Sequence, residues 1–130
     1  MLWKKGNKAP KEGMNWQELN NIEQLDTIQE ESHQQPVLIY KHSTRCGISG
    51  MALSRLEREW TGELNHIKTY FLDLIAHRDI SNAVQNKFGV YHESPQVILL
   101  ENGNVVYNDS HMGVSAEPLK RMTIKNSDHS

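Results

Sequence analysis

Short apolar runs alternate with helical stripes along this chain. Ile22, Leu25 and Ile28 recur at spacing three, as one face of a short helix ending near Ser32. Asn21 precedes them as a candidate N-cap, with Gln24 placed for a capping box. Pro36 closes the loop, and Val37–His42 reads as a compact strand of β-branched, aliphatic and aromatic residues. Ser43, Thr44 and Arg45 form a turn. The period then turns helical over Cys46–Trp60, with Ile48, Ala52, Leu56 and Trp60 on one face and Arg55, Arg58 and Glu59 on the other. Thr61 and Gly62 end that helix. Ile67–Leu72 is a second strand. Ile80, Ala83, Val84 and Phe88 give another helical stripe, stopped by Gly89. Ser94 and Pro95 lead into a strand over Gln96–Leu100. Asn102-Gly103 makes a hairpin turn, since both residues tolerate positive φ. Val105–Asn108 returns antiparallel, and Ser115 caps a last helix around Ala116–Thr123. Trp16–Leu19 reads as a short edge strand.

The resulting order, (β)αβαβαββα, is α/β. A strand, helix and strand in succession imply a parallel pair with a right-handed crossover. The hairpin adds antiparallel strands, so the sheet is mixed and helices flank it on both faces. That is a thioredoxin-like plan. Residues 1–15 read as a flexible basic leader, 16–124 as the domain and 125–130 as a polar tail.

With 130 residues the chain fits one domain with one real core. The net charge of −2 and interspersed signs exclude the basic stripe of a nucleic-acid binder. Lys4, Lys5, Lys8 and Lys11 cluster in the leader, where a solvated face is the simpler reading. The longest apolar runs fall far short of the ~20 residues that span a bilayer. No apolar h-region follows the first ten residues, so the expected location is the cytoplasm. One cysteine agrees, and it excludes an intramolecular disulfide. The seven histidines lack the close paired spacing of zinc ligands, so no metal and no tightly bound cofactor are expected.

Chemistry concentrates at Cys46. It lies just after the first core strand, where a helix begins. First-turn N–H groups lack intrahelical partners, and with the helix dipole they favour an anion. Arg45 adds a fixed positive charge, and Lys41 and His42 stand nearby. Helix N-termini lower a thiol pKa, which favours the thiolate that performs thiol–disulfide exchange. The alternative is a buried cysteine acting as a small hydrophobe. Thr44-Arg45-Cys46-Gly47-Ile48-Ser49 occupies the place of a Cys-x-x-Cys motif, with Ser49 where the second cysteine would stand. A hydroxyl can hydrogen-bond a thiolate but cannot resolve a disulfide. Pro95, after Ser94, starts a core strand, and X–Pro is the peptide bond that adopts cis at modest cost. In thioredoxin-like proteins a cis-proline loop faces the active cysteine.

The stretch His42-Ser43-Thr44-Arg45-Cys46-Gly47-Ile48-Ser49-Gly50-Met51-Ala52 resembles the active site of the monothiol bacilliredoxins, YtxJ-like thioredoxin-fold proteins of bacillithiol-using Firmicutes. The likeness runs from about Ile22 to Met122 and includes Ile22–Asp26, Ser94-Pro95-Gln96 and Asn102-Gly103. The family typically carries proline after the cysteine, and here Gly47 stands there. The resemblance implies removal of bacillithiol from S-bacillithiolated proteins through a Cys46 mixed disulfide, with bacillithiol as co-substrate. It implies Ser94, Pro95, His42, His111 and Gly113 as a surface for the thiol. Arg45, Lys41 or the helix terminus near Ser115 are candidates to hold the anionic malyl group. Two other readings stay open. Cys46-Gly47-Ile48-Ser49 differs by one residue from the Cys-Gly-Phe-Ser motif of cluster-carrying monothiol glutaredoxins, although His111–Ser115 lacks their Gly-Gly-x-Asp pattern. A thioredoxin-like adaptor without thiol chemistry is the third.

Overall fold

The computed structural model describes residues 14–44 and 47–128, with side chains described up to residue 123. The leader reading therefore lies almost wholly outside the described residues. Five strands form one sheet: β1 (Gln17–Glu18), β2 (Val37–His42), β3 (Lys68–Asp73), β4 (Gln96–Glu101) and β5 (Asn104–Ser110). Their spatial order is β1-β3-β2-β4-β5. β1 and β2 both run parallel to β3, while β4 is antiparallel to β2 and β5 to β4. The helices are α1 (Gln24–Glu31), α2 (Gly47–Glu59), α3 (Arg78–Phe88) and α4 (Glu117–Asp128).

Alternation along the central strands divides the core into two layers. Val37 and Ile39 of β2 pack with Leu25 and Ile28 of α1 and with Ile80 and Val84 of α3. Leu38 and Tyr40 face the other way, against Ala52 and Leu56 of α2 and Leu119 of α4. β2 and β4 are covered on both faces, which is why each reads as a near-continuous apolar run. The site therefore sits where β2 hands the chain to α2, at one end of a doubly covered sheet.

Local chemistry explains most boundaries. Gln24 Oε1 accepts the Asn21 N–H at 2.9 Å, and Asn21 Oδ1 accepts the Glu23 N–H at 2.9 Å, so the capping residues are engaged. The first turn there closes with i→i−3 bonds, which delays regular α-helix to Gln24 and leaves Ile22 exposed rather than on the buried stripe. Gly89 ends α3 in the left-handed region at φ 72°. Asn102 and Gly103 both have positive φ, as the hairpin requires. That hairpin is docked: Ser32, at the end of α1, accepts the Asn102 N–H through its carbonyl at 2.7 Å and the Gly103 N–H through its hydroxyl at 2.8 Å.

Two expectations change. α4 continues to Asp128, so residues 125–128 extend the helix rather than form a tail. Lys41 is fully buried, although it was a candidate for an anion at the site. Strand alternation turns it with Val37 and Ile39 toward α3, where its Nζ lies 3.3 Å from His92 Nδ1. Ser81 Oγ of α3 is 3.1 Å from the same nitrogen. Burial pulls the Lys41 ammonium down to about 8. Burial, then the Lys41 charge, push the His92 imidazolium down as well.

A depressed lysine pKa has a definite sign in stability. Between about 8 and 10.5 the unfolded chain still holds the proton that the folded chain has released, so stability rises with pH across that window. Lys41→Met lacks this contribution. Urea denaturation from pH 7 to 10.5 is expected to show wild type gaining on the variant, by an amount on the order of 3 kcal/mol. Parallel curves would refute the assignment.

Candidate functional site

Thr44 is the exposed turn residue after β2, and Gly47 opens α2. Arg45 and Cys46 fall between them and lie outside the described residues. What surrounds this turn is well defined. Ser49, in the first turn of α2, is completely buried. Its Oγ accepts the Ser43 N–H at 3.0 Å and lies 3.0 Å from His42 Nδ1. Its carbonyl accepts the Tyr40 hydroxyl at 2.8 Å. Three consecutive-region residues of β2 and its exit are thus tied to one residue of α2. Tyr40 is stacked on Phe71, with ring planes 7° apart, and Trp16 meets both rings edge-on. His42 tilts over Phe71 at 5.2 Å. An aromatic wall therefore backs the turn.

Ser49 was expected to serve the thiolate. Its oxygen has two lone pairs and one proton. Ser43 takes one lone pair. With the proton of a neutral His42 on Nε2, Ser49 donates to Nδ1. With a proton on Nδ1, His42 donates and the serine proton is released for another acceptor. The His42 tautomer therefore sets where the Ser49 proton points.

The Ser94–Pro95 peptide is cis. The proline's own carbonyl joins this step to the next loop, because Pro95 O accepts the His111 N–H at 2.9 Å. His111 has φ 54° and its Nε2 meets Glu93 at 3.1 Å. The Ser94 hydroxyl is buried and has no hydrogen-bond partner among the described residues. His111 also lines a cleft of about 600 Å³ with Gly47, Gly50, Met51, Ser54, Arg55, Arg58 and Met112. Ser94, Pro95, His111 and Gly47 are thereby brought into one neighbourhood. Ile48 faces outward and is 42% exposed.

Gly113 has a structural reason of its own. A Cβ there would stand 2.5 Å from Asp109 Oδ1. That carboxylate is already engaged by the Ser110 N–H at 2.8 Å and the Tyr107 hydroxyl at 3.0 Å. Burial and this bond push the Tyr107 hydroxyl up to about 12. The helix terminus near Ser115 is also occupied: Glu59 Oε1 accepts the Ala116 N–H at 2.9 Å. Of the proposed anion holders, Lys41 is in the opposite layer and this terminus carries a carboxylate from α2. Arg55 and Arg58, read as the face of α2 opposite its apolar stripe, both line the cleft. Arg55 donates from Nη1 to Met112 O at 3.0 Å and Val114 O at 3.2 Å, clamping the 111–113 turn to α2. The only sequence signal for this was their spacing with Met51 and Ser54. Among the described residues no group of three or more His, Cys, Asp or Glu is arranged to hold a metal ion. None of the helices described is long and apolar enough to cross a membrane.

Two substitutions, with a third as control, test the frame. Ser49→Ala removes the acceptor that serves Ser43 and is expected to cost about 1–3 kcal/mol in urea denaturation. Ser54→Ala, exposed on the same helix, is expected to stay within about 0.5 kcal/mol. Gly113→Ala forces Asp109 aside and is expected to lose about 1–3 kcal/mol, read as a lowered Tm. An unchanged Tm would mean that the turn yields freely.

A family model described as monothiol bacilliredoxin BrxC matches residues 17–119. Among solved structures, a protein described as an oxidoreductase with a thioredoxin fold is 30% identical, with 80% of this chain and 89% of that chain covered and a TM-score of 0.68. Mitochondrial thioredoxin 3 from Saccharomyces cerevisiae is 14% identical, with 85% and 94% covered and a TM-score of 0.65. Thioredoxin from Trypanosoma brucei brucei is 14% identical, with 95% and 100% covered and a TM-score of 0.64. The two thioredoxins speak to the fold, which is the thioredoxin fold. The family match spans the β2–α2 turn, the cis-proline step and the hairpin, and the chain belongs to the monothiol bacilliredoxin family of thiol redox proteins.

Proposed function

We propose that this protein removes bacillithiol from S-bacillithiolated proteins, with Cys46 as the nucleophile. The observation that carries the reading is the family match across a motif with one thiol and Ser49 in the second position. Cys46 directly precedes Gly47, the first residue of α2, whose first-turn N–H groups favour a thiolate.

The cycle balances with one small thiol as reductant. The Cys46 thiolate attacks the bacillithiol sulfur of the client's mixed disulfide. A Cys46–bacillithiol disulfide forms, the old S–S bond breaks, and the client thiolate leaves to take a proton from water. A second bacillithiol, as thiolate, attacks the adduct, releasing the Cys46 thiolate and bacillithiol disulfide. The client sulfur is reduced to a thiol, the incoming bacillithiol is the one thiol oxidised, and one disulfide has been exchanged for another. No tightly bound cofactor enters. Partners in this reading are S-bacillithiolated clients and the low-molecular-weight thiol, in the cytoplasm, where such a thiol pool is kept reduced.

Intact-mass analysis tests it. After mixing with an S-bacillithiolated protein, wild type is expected to gain the bacillithiol mass on Cys46 and Cys46→Ser to gain nothing. Absence of transfer, with Cys46 alkylated by iodoacetamide no faster than free cysteine at neutral pH, would overturn the reading.

A further inference from the structure

The cleft beside the turn has a chemical character that the redox motif does not require. α2 contributes Gly47, Gly50, Met51, Ser54, Arg55 and Arg58, at spacings of three and four, so a single stripe of the helix forms one wall. Met112 and His111 form the other. Two guanidinium groups and an imidazole border the cleft, and among the described residues none that lines it is acidic. Glu93 reaches His111 without lining the cleft. Arg55 is committed to the 111–113 turn. Arg58 makes no hydrogen bond or ion pair among the described residues. Met51 and Met112 are 63% and 59% exposed, giving apolar surface between the start of α2 and the guanidinium.

The helix also fixes a length. Arg58 is eleven residues beyond Gly47, about 16 Å along the axis. Helical side chains lean toward the N-terminus, which brings the guanidinium back to roughly 10–15 Å from the start of α2. A carboxylate on the same small amino acid as the sulfur cannot reach that far. A thiol whose carboxylates sit at the far end of a sugar or peptide can.

We propose that this cleft binds the tail of an extended anionic thiol, with Arg58 reading its carboxylate, so that the protein selects its small thiol by length and charge. The proposal rests on the thiol-transfer reading above and adds the residue that sets specificity. Arg58 pairs with the carboxylate, the two methionines cover the apolar face of the linking ring, and Arg55 holds the opposite wall in place.

The test compares one client protein carrying either bacillithiol or 2-mercaptoethanol as its mixed disulfide. Arg58→Ala is expected to raise KM for the bacillithiol adduct about tenfold with kcat little changed. Arg58→Glu is expected to raise it further, and Arg58→Lys to recover most of the loss. The uncharged, short 2-mercaptoethanol adduct is expected to respond to none of them. Equal KM changes for both adducts, or none, would overturn the proposal while leaving thiol transfer intact. The sulfur-free tail, malyl-glucosamine, separates the two ideas. Titrated at millimolar concentration, it is expected to shift NMR signals of Arg58 and Met112 in wild type but not in Arg58→Ala. Those shifts without any adduct transfer would sustain the cleft and reject the transfer reading. Shifts elsewhere, or none, would reject the cleft.

Discussion

Everything at this site depends on one buried residue bonding in three directions. Ser49 ties Ser43, His42 and Tyr40 to the first turn of α2. These bonds add a polar link between the exit of β2 and the start of α2 to the apolar packing of Leu38 and Tyr40 against Ala52 and Leu56. A buried hydroxyl that is fully engaged rigidifies its surroundings, whereas a half-engaged one is costly. Ser49 is therefore more than a cysteine's replacement. It sets the geometry within which a lone thiol would have to work, and its proton is shared with the His42 tautomer.

The two-layer core makes that lock possible. β2 is covered on both faces, so its end is rigid, and its two sides serve different purposes. Tyr40 and His42 turn toward α2 and Phe71, while Lys41 turns toward His92 and Ser81. The cis-proline step joins this arrangement through the Pro95–His111 bond, and Arg55 joins the 111–113 turn to α2. Each loop near the site is thus held by a bond to another element, not by its own sequence.

That division decides what could be read from the residues alone. β2 and α3 were legible nearly to the residue, because apolar runs, helical stripes and Gly89 act locally. So was the hairpin, since Asn102 and Gly103 carry their own backbone preference. The cis step before Pro95 was legible as a place where cis is affordable, and the motif around Cys46 as a family resemblance. Long-range partnership was not legible. Arg55 meets carbonyls 57 and 59 residues away, and on a helical projection it is simply polar. Lys41 resembles a surface cation until strand alternation and α3 enclose it. α4 outruns its apolar stripe although Asn126, Ser127 and Asp128 are weak helix formers, so no local signal marked its length.

α2 also passes side chains to three other parts of the chain: Glu57 to the Trp16 indole, Arg55 to the 111–113 turn, and Glu59 to the start of α4. These contacts demand a fixed angular registry. One residue inserted between Gly47 and Arg55 would turn every later side chain by about 100° and advance it by about 1.5 Å. All three contacts would then be broken together. α2 is consequently a segment that descent can decorate but not lengthen, and gaps between relatives should collect in loops such as 61–66 instead.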